Sequence, residues 1–139
     1  MILDKDLFFT VNSSGVPTPL AVPTTNNGSS STAVIDLGAE VNPLGGHELT
    51  FHVVGNKGGS VTSSPTIKVD WQTSPNISSG YKTIATTPAL PVVANGGVMY
   101  RMKIVDGVQR YNKAVVTTTL GTSGAVSSKT VDIFLTKEQ

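Results

Sequence analysis

The stretch Thr66-Ile67-Lys68-Val69-Asp70-Trp71-Gln72-Thr73 decides the fold. Ile67, Val69 and Trp71 alternate with Lys68, Asp70 and Gln72. A period of two puts the first set on one side of an extended chain and the second on the other, the pattern of a strand with one dry and one wet face. The same alternation recurs downstream. Over 98–105, Val98, Tyr100, Met102 and Ile104 alternate with Met99, Arg101 and Lys103, and over 130–136 Val131, Ile133 and Leu135 read as inward-facing. Further short runs rich in Val, Ile, Thr and aromatics lie at 7–11, 32–37, 48–54, 81–86 and 113–120. Turn-forming clusters separate them: Asn42-Pro43-Leu44-Gly45-Gly46, the glycine-rich 55–64, Asn95-Gly96-Gly97, Asp106-Gly107 and Gly121-Thr122-Ser123-Gly124. Pro88 and Pro91 interrupt pairing after the fifth run, because proline donates nothing to a ladder.

No helical periodicity competes with these strands. The expectation is an all-β domain, a two-sheet antiparallel β-sandwich, specifically a jelly roll of about eight strands. An immunoglobulin-like sandwich is the near competitor, but its Cys…Trp…Cys landmark is missing. Trp71, Phe51, Tyr100 and Phe134 are the expected large core residues. The 139 residues suit a single domain, residues 1–139, with an N-terminal strand at 2–11 and a polar arm or loop at 12–31.

Composition narrows the function. Charged residues are only 14% of the chain and the net charge is +1, so the strongly basic surface that holds nucleic acid is not expected. There is no Cys, which removes disulfides, thiolate metal sites and Cys nucleophiles. No apolar run approaches the roughly 18 residues of a membrane span. The opening Met1-Ile2-Leu3-Asp4-Lys5-Asp6 lacks the basic-then-apolar order of a signal peptide, so synthesis in a cytoplasm without export by the usual route is the expectation.

The chain offers little convergent chemistry. His47 falls in a turn and His52 on a strand, and two histidines are too few for a zinc site, so both read as structural or solvent-facing. Asp36, Asp70 and Asp132 occupy outward strand positions. Ser79 and Lys82 have the spacing of a serine–lysine pair, but that pair needs one helical turn to align it, and here the residues enter a strand. Gly45-Gly46, Gly58-Gly59 and Gly96-Gly97 lack the residues of a phosphate loop and read as hairpin turns. Asn12-Ser13-Ser14, Asn27-Gly28-Ser29 and Asn76-Ile77-Ser78 match a glycosylation pattern of the kind that chance supplies in an Asn/Ser-rich chain. No catalytic residue, cofactor or metal is expected. Lys68, Lys82, Arg101, Lys103, Arg110 and Lys113, interspersed with Asp70, Asp106 and Asp132, form a solvated face or the charged rim of a protein interface.

Residues 12–31 stand out. About twenty polar residues are long for a loop in a compact domain, and Pro17, Pro19 and Pro23 hold part of them extended. They read either as a surface loop or as an arm that reaches a partner. Phe8 and Phe9, side by side, suit a strand covered on both faces. The candidate partner-binding residues are therefore Phe8, Phe9, Pro17, Pro19, Pro23, Arg101 and Lys103.

Met1-Ile2-Leu3-Asp4-Lys5, Ile35-Asp36-Leu37-Gly38-Ala39, Leu49-Thr50-Phe51-His52-Val53-Val54 and Trp71-Gln72-Thr73-Ser74 together carry a resemblance. In this order and spacing the chain resembles the head cement proteins of tailed bacteriophages, the type found in a Bordetella podophage. The resemblance implies a jelly roll on the outer surface of the virion, bound to the major capsid protein and bridging neighbouring subunits of the expanded shell. It implies no catalytic residues. Residues 12–31 depart from the pattern in length and proline content. A closed homo-oligomer fits such a role, with a dimer favoured over a trimer. The alternatives are a carbohydrate-binding jelly-roll module and a cupin-type metal enzyme. The first needs a row of exposed aromatics, and the second needs several convergent His.

Overall fold

The computed structural model describes residues 7–12, 14–37, 49–92, 94–104 and 108–137. Its strands are β1 (Leu20–Ala21), β2 (Ser29–Ser31), β3 (Ile35–Asp36), β4 (Leu49–Gly55), β5 (Ser60–Thr62), β6 (Thr66–Ser74), β7 (Lys82–Thr86), β8 (Leu90–Pro91), β9 (Gly97–Ile104), β10 (Tyr111–Thr119), β11 (Ala125–Ser127) and β12 (Thr130–Lys137). One sheet has the order β1-β12-β4-β9, and the other β2-β10-β6-β7, with β3 added to β10 and β8 to β6. All pairings are antiparallel. Counting β1, β2, β4, β6, β7, β9, β10 and β12 as first to eighth, one sheet has the order 1-8-3-6 and the other 2-7-4-5. That interleaving is the jelly roll, and the expected fold class holds. A small two-stranded sheet, β5 with β11, lies outside the two main sheets.

The alternation that identifies the strands also builds the core. Ile67, Val69 and Trp71 of β6 face Leu49, Phe51 and Val53 of β4, and Val131, Ile133 and Leu135 of β12 complete the layer; all are buried. Phe51 and Trp71 bridge the sheets, stacked at 5.3 Å between ring centroids with 16° between planes. Phe9 meets both rings edge-on, at 5.8 and 6.2 Å. The sequence makes room for the indole. Trp71 stands opposite Ala114 on β10 and Ala85 on β7, so small side chains flank it on both neighbouring strands.

A buried indole brings one N–H that must be satisfied. Asn112, fully buried and diagonal to Trp71 in the register, accepts it at 2.9 Å. The Asn112 amide in turn donates to the Gln109 carbonyl at 2.9 Å, and the Gln109 N–H donates to Thr73 Oγ1 at 2.7 Å. A short polar chain thus fastens the entry to β10 against β6. Lys129 is also buried. Its ammonium donates to the carbonyls of Asn56 and Ala94, at 3.0 and 3.1 Å, which ties together three loops at one end of the sandwich. Close by, Gly59 has a φ of +67°, and a Cβ there would lie 2.3 Å from the Ser127 carbonyl oxygen, so only glycine fits.

Several expectations need correction. The run 7–11 forms no strand: it makes two isolated bridges, Phe8 with Phe134 and Val11 with Pro17. Residues 12–31 do not extend away from the body. Asn12 closes a turn by accepting the Ser14 and Val16 N–H groups, then β1 pairs with β12 and β2 pairs with β10. The segment crosses from one sheet to the other and supplies an edge strand to each. Phe134 does not enter the core. It follows the same alternation that sends Ile133 and Leu135 inward, and so faces the other side. Tyr100 is half-buried at the core's margin. Val98 also departs from its expected face. A bulge between Val53 and Val54 leaves Met99 without an opposite residue, so Val98 falls out of phase with Tyr100 and is 56% exposed. The turns at Gly45-Gly46 and Asp106-Gly107 and the histidine His47 lie outside the described residues.

Substituting Asn112 with Ala strands the indole N–H in the core and is expected to cost about 1–3 kcal/mol. Trp71→Phe in that background removes the orphaned donor, so the two losses are expected to be less than additive. Chemical denaturation of the two single variants and the double variant measures this.

Candidate functional site

Outside the core, the notable side-chain clusters lie on faces and edges. The outer side of the β1-β12-β4-β9 sheet carries a row of rings. Phe8 stacks on Phe134 at 4.9 Å, and Phe134 stacks on His52 at 4.8 Å. His52 is buried, with Nε2 2.7 Å from Thr136 Oγ1. Of the two readings given for it, the solvent-facing one does not hold for His52. Register places Arg101 of β9 directly opposite His52, and Lys103 opposite Thr50. Phe134, His52 and Arg101 thus form one cross-strand row, with the two β9 cations exposed at its edge.

Phe8 and Phe9 go to different sides of the sheet. Phe8 is half-buried on the outer ring row, while Phe9 is fully buried between the sheets. Phe9 is thus a core residue, unavailable to a partner. Its N–H donates to the Ile133 carbonyl at 2.9 Å, which pins the segment to β12. Pro17 and Pro19 are exposed, and Pro23 is half-buried beside the buried Val22. The prolines sit on either side of β1, at the opposite edge of the sheet from Arg101 and Lys103 on β9.

The outer side of the other sheet has its own polar cluster. Arg110 donates from Nε and one terminal nitrogen to the two carboxylate oxygens of Asp36, at 2.8 and 3.0 Å. Its guanidinium lies 5.0 Å from the Tyr111 ring centroid. The hydrogen bond to Asp36 holds the Arg110 pKa above its ordinary value. Lys113 places its ammonium 4.5 Å from the Tyr81 ring centroid, and the Tyr81 hydroxyl donates to the Ile77 carbonyl at 2.8 Å. Asp70 accepts from Thr86 Oγ1 at 2.8 Å. Asp36 and Asp70 face outward as the alternation implies, and each already engages a neighbour. Sequence reasoning does not find the Asp36–Arg110 or Lys113–Tyr81 pairs, because each depends on a strand register that no local motif encodes.

Among the described residues, no group of three His, Asp or Glu side chains stands close enough to hold a metal ion. Ser79 lies in the 75–80 loop and Lys82 opens β7, so no helical turn aligns them. No protein-family model matches the chain, and no curated protein matches it.

Two outcomes are expected. Phe8→Ala removes one ring of the stack and is expected to cost about 1–2 kcal/mol. It should also speed hydrogen exchange at the Phe9 amide while leaving β6 and β10 protected. Burial, and secondarily the neighbouring Tyr111, push the Tyr81 phenol above its ordinary value of 10.0. The unfolded chain then ionises first. The stability tied to Tyr81 is present below about pH 10 and lost as pH rises through the folded value. Thermal melts should show a shallower loss above that pH in Tyr81→Phe than in the unaltered protein.

Proposed function

We propose that this protein is a capsid cement protein, which binds the outer surface of a tailed-phage head and bridges neighbouring major capsid protein subunits. One observation carries the reading: the jelly roll ends in an eight-residue edge strand, β9, with exposed cations beside a row of rings. The sequence resemblance points the same way, and a surface of edges and faces suits attachment better than turnover.

A cement molecule works through area and repetition. Each contact need be only an ordinary interface, roughly 1,000 Å² or more in total. Joining several shell subunits converts weak contacts into avidity. A homo-oligomer, with a dimer favoured, sets two such surfaces on a symmetry axis. Preferential binding to the expanded shell stabilises that state by mass action. The carbohydrate-binding alternative has less support. Sugar stacking needs open ring faces, and here Lys113 lies over Tyr81 while Arg110 lies over Tyr111.

Purified protein mixed with empty expanded phage heads is expected to sediment with them and to raise their melting temperature. Protein that stays in the supernatant at every concentration tested overturns the reading.

A further inference from the structure

We infer that β5 and β11 form a lid over one end of the sandwich, latched by Lys129, which opens as one unit while the two main sheets stay folded. Both lid strands belong to crossovers. Residues 56–65 carry the chain from β4 of one sheet to β6 of the other, and residues 120–129 carry it back from β10 to β12. The register puts both crossovers at the same end, since Gly55 stands opposite Val131 and Thr66 stands opposite Thr119. There Ser60, Val61 and Thr62 pair with Ser127, Val126 and Ala125, and Ser63 Oγ donates to the Ser123 carbonyl at 3.3 Å. Val126 is the one side chain of this ribbon buried in the core; Val61 is half-buried and the other four are exposed.

The place of Lys129 makes it the latch. It stands between β11 and β12, and its ammonium reaches the Asn56 carbonyl just ahead of β5 and the Ala94 carbonyl ahead of β9. It thus pins the second crossover to the first and to the neighbouring turn. The closed position carries its own cost. The buried ammonium has given up its water, and the two carbonyls stand in for that water. On release the ammonium is hydrated again, so opening forfeits little there. Ser63 follows β5 directly and Ser128 follows β11, with φ of +60° and +56°, a left-handed conformation that a side chain disfavours. Both can relax once the ribbon lifts. Parting β6 from β10 is far costlier, because it breaks a nine-residue ladder and uncovers Trp71 and Asn112. A three-residue ladder with one buried apolar side chain gives way first.

The test is amide hydrogen exchange on the full-length protein across a denaturant series. The amides that bond across the ribbon, within 60–62 and 125–127, are expected to exchange at one common rate, about a hundredfold faster than those of β6 and β10. Their rate should depend less steeply on denaturant, because lifting the lid exposes less surface than unfolding the sandwich. Asn112→Ala acts at the far end of β10 from the lid. It should speed exchange in β6 and β10 and leave the lid rate unchanged, since the open state keeps the Trp71–Asn112 contact. Lys129→Ala should speed exchange in the lid about tenfold, through the loss of two charge-assisted bonds. If that variant does not fold, Lys129→Gln, which keeps an amide donor, should speed the lid by a smaller factor. Four results overturn the inference: lid amides as slow as those of β6 with the same denaturant slope, unequal rates in β5 and β11, a lid that speeds with Asn112→Ala, or a lid rate indifferent to Lys129. Attachment to phage heads enters none of these readouts, so the lid and the cement reading stand or fall separately.

Discussion

The stack of Phe51 on Trp71 is the contact on which the two sheets depend. One ring comes from each sheet, and the edge-on Phe9 seals the pair. Burial of rings this large is worth several kilocalories per mole, since Phe or Trp→Ala in a core costs about 3–5 kcal/mol. It also imposes demands. The indole needs space, met by Ala114 and Ala85, and an acceptor, met by Asn112. Asn112 then needs its own acceptor, which fixes the path of the chain at Gln109 just before β10. A single aromatic pair thus constrains residues on four strands and one loop.

The same alternation that fills the core also builds the outer surface. On β12, Ile133 and Leu135 go inward, so Phe134 must go outward, where Phe8 and His52 cover its two sides. On the N-terminal segment, Phe9 goes inward and Phe8 outward. The two phenylalanines thus clip this segment to β12 from opposite faces, helped by the Phe9 N–H bond to Ile133. The outer ring row then ends at Arg101 on the edge strand. Core and surface are consequences of one phase choice on each strand. A one-residue slip would invert both together.

Much of this was open to reading in the sequence, and the rest was closed to it for identifiable reasons. The strands β4, β6, β9, β10 and β12 carry clear apolar patterning, β7 a weaker one, and together they suffice for the fold class. Leu20–Ala21 and Ser29–Ser31 are too short to show any period. Their strand character comes wholly from partners about a hundred residues away on β12 and β10, so residues 12–31 read locally as a polar loop or arm. Val98 keeps its apolar identity, but a single bulge residue changes its face, and nothing local marks the bulge. Of the candidate partner residues, Arg101 and Lys103 occupy the exposed edge, Phe8 half-covers the ring row, and Phe9 belongs to the core.

The bulge links these observations. Without it, Val98 would lie in phase with Tyr100 and Met102 and point toward the interior, as the alternation suggests. With it, the edge strand exposes an apolar side chain and two cations on one face. Bulges and charges at an edge commonly serve to discourage association. Both features also discriminate, because a charged edge repels its own kind and accepts its complement. The cations of β9 oppose pairing of like edges.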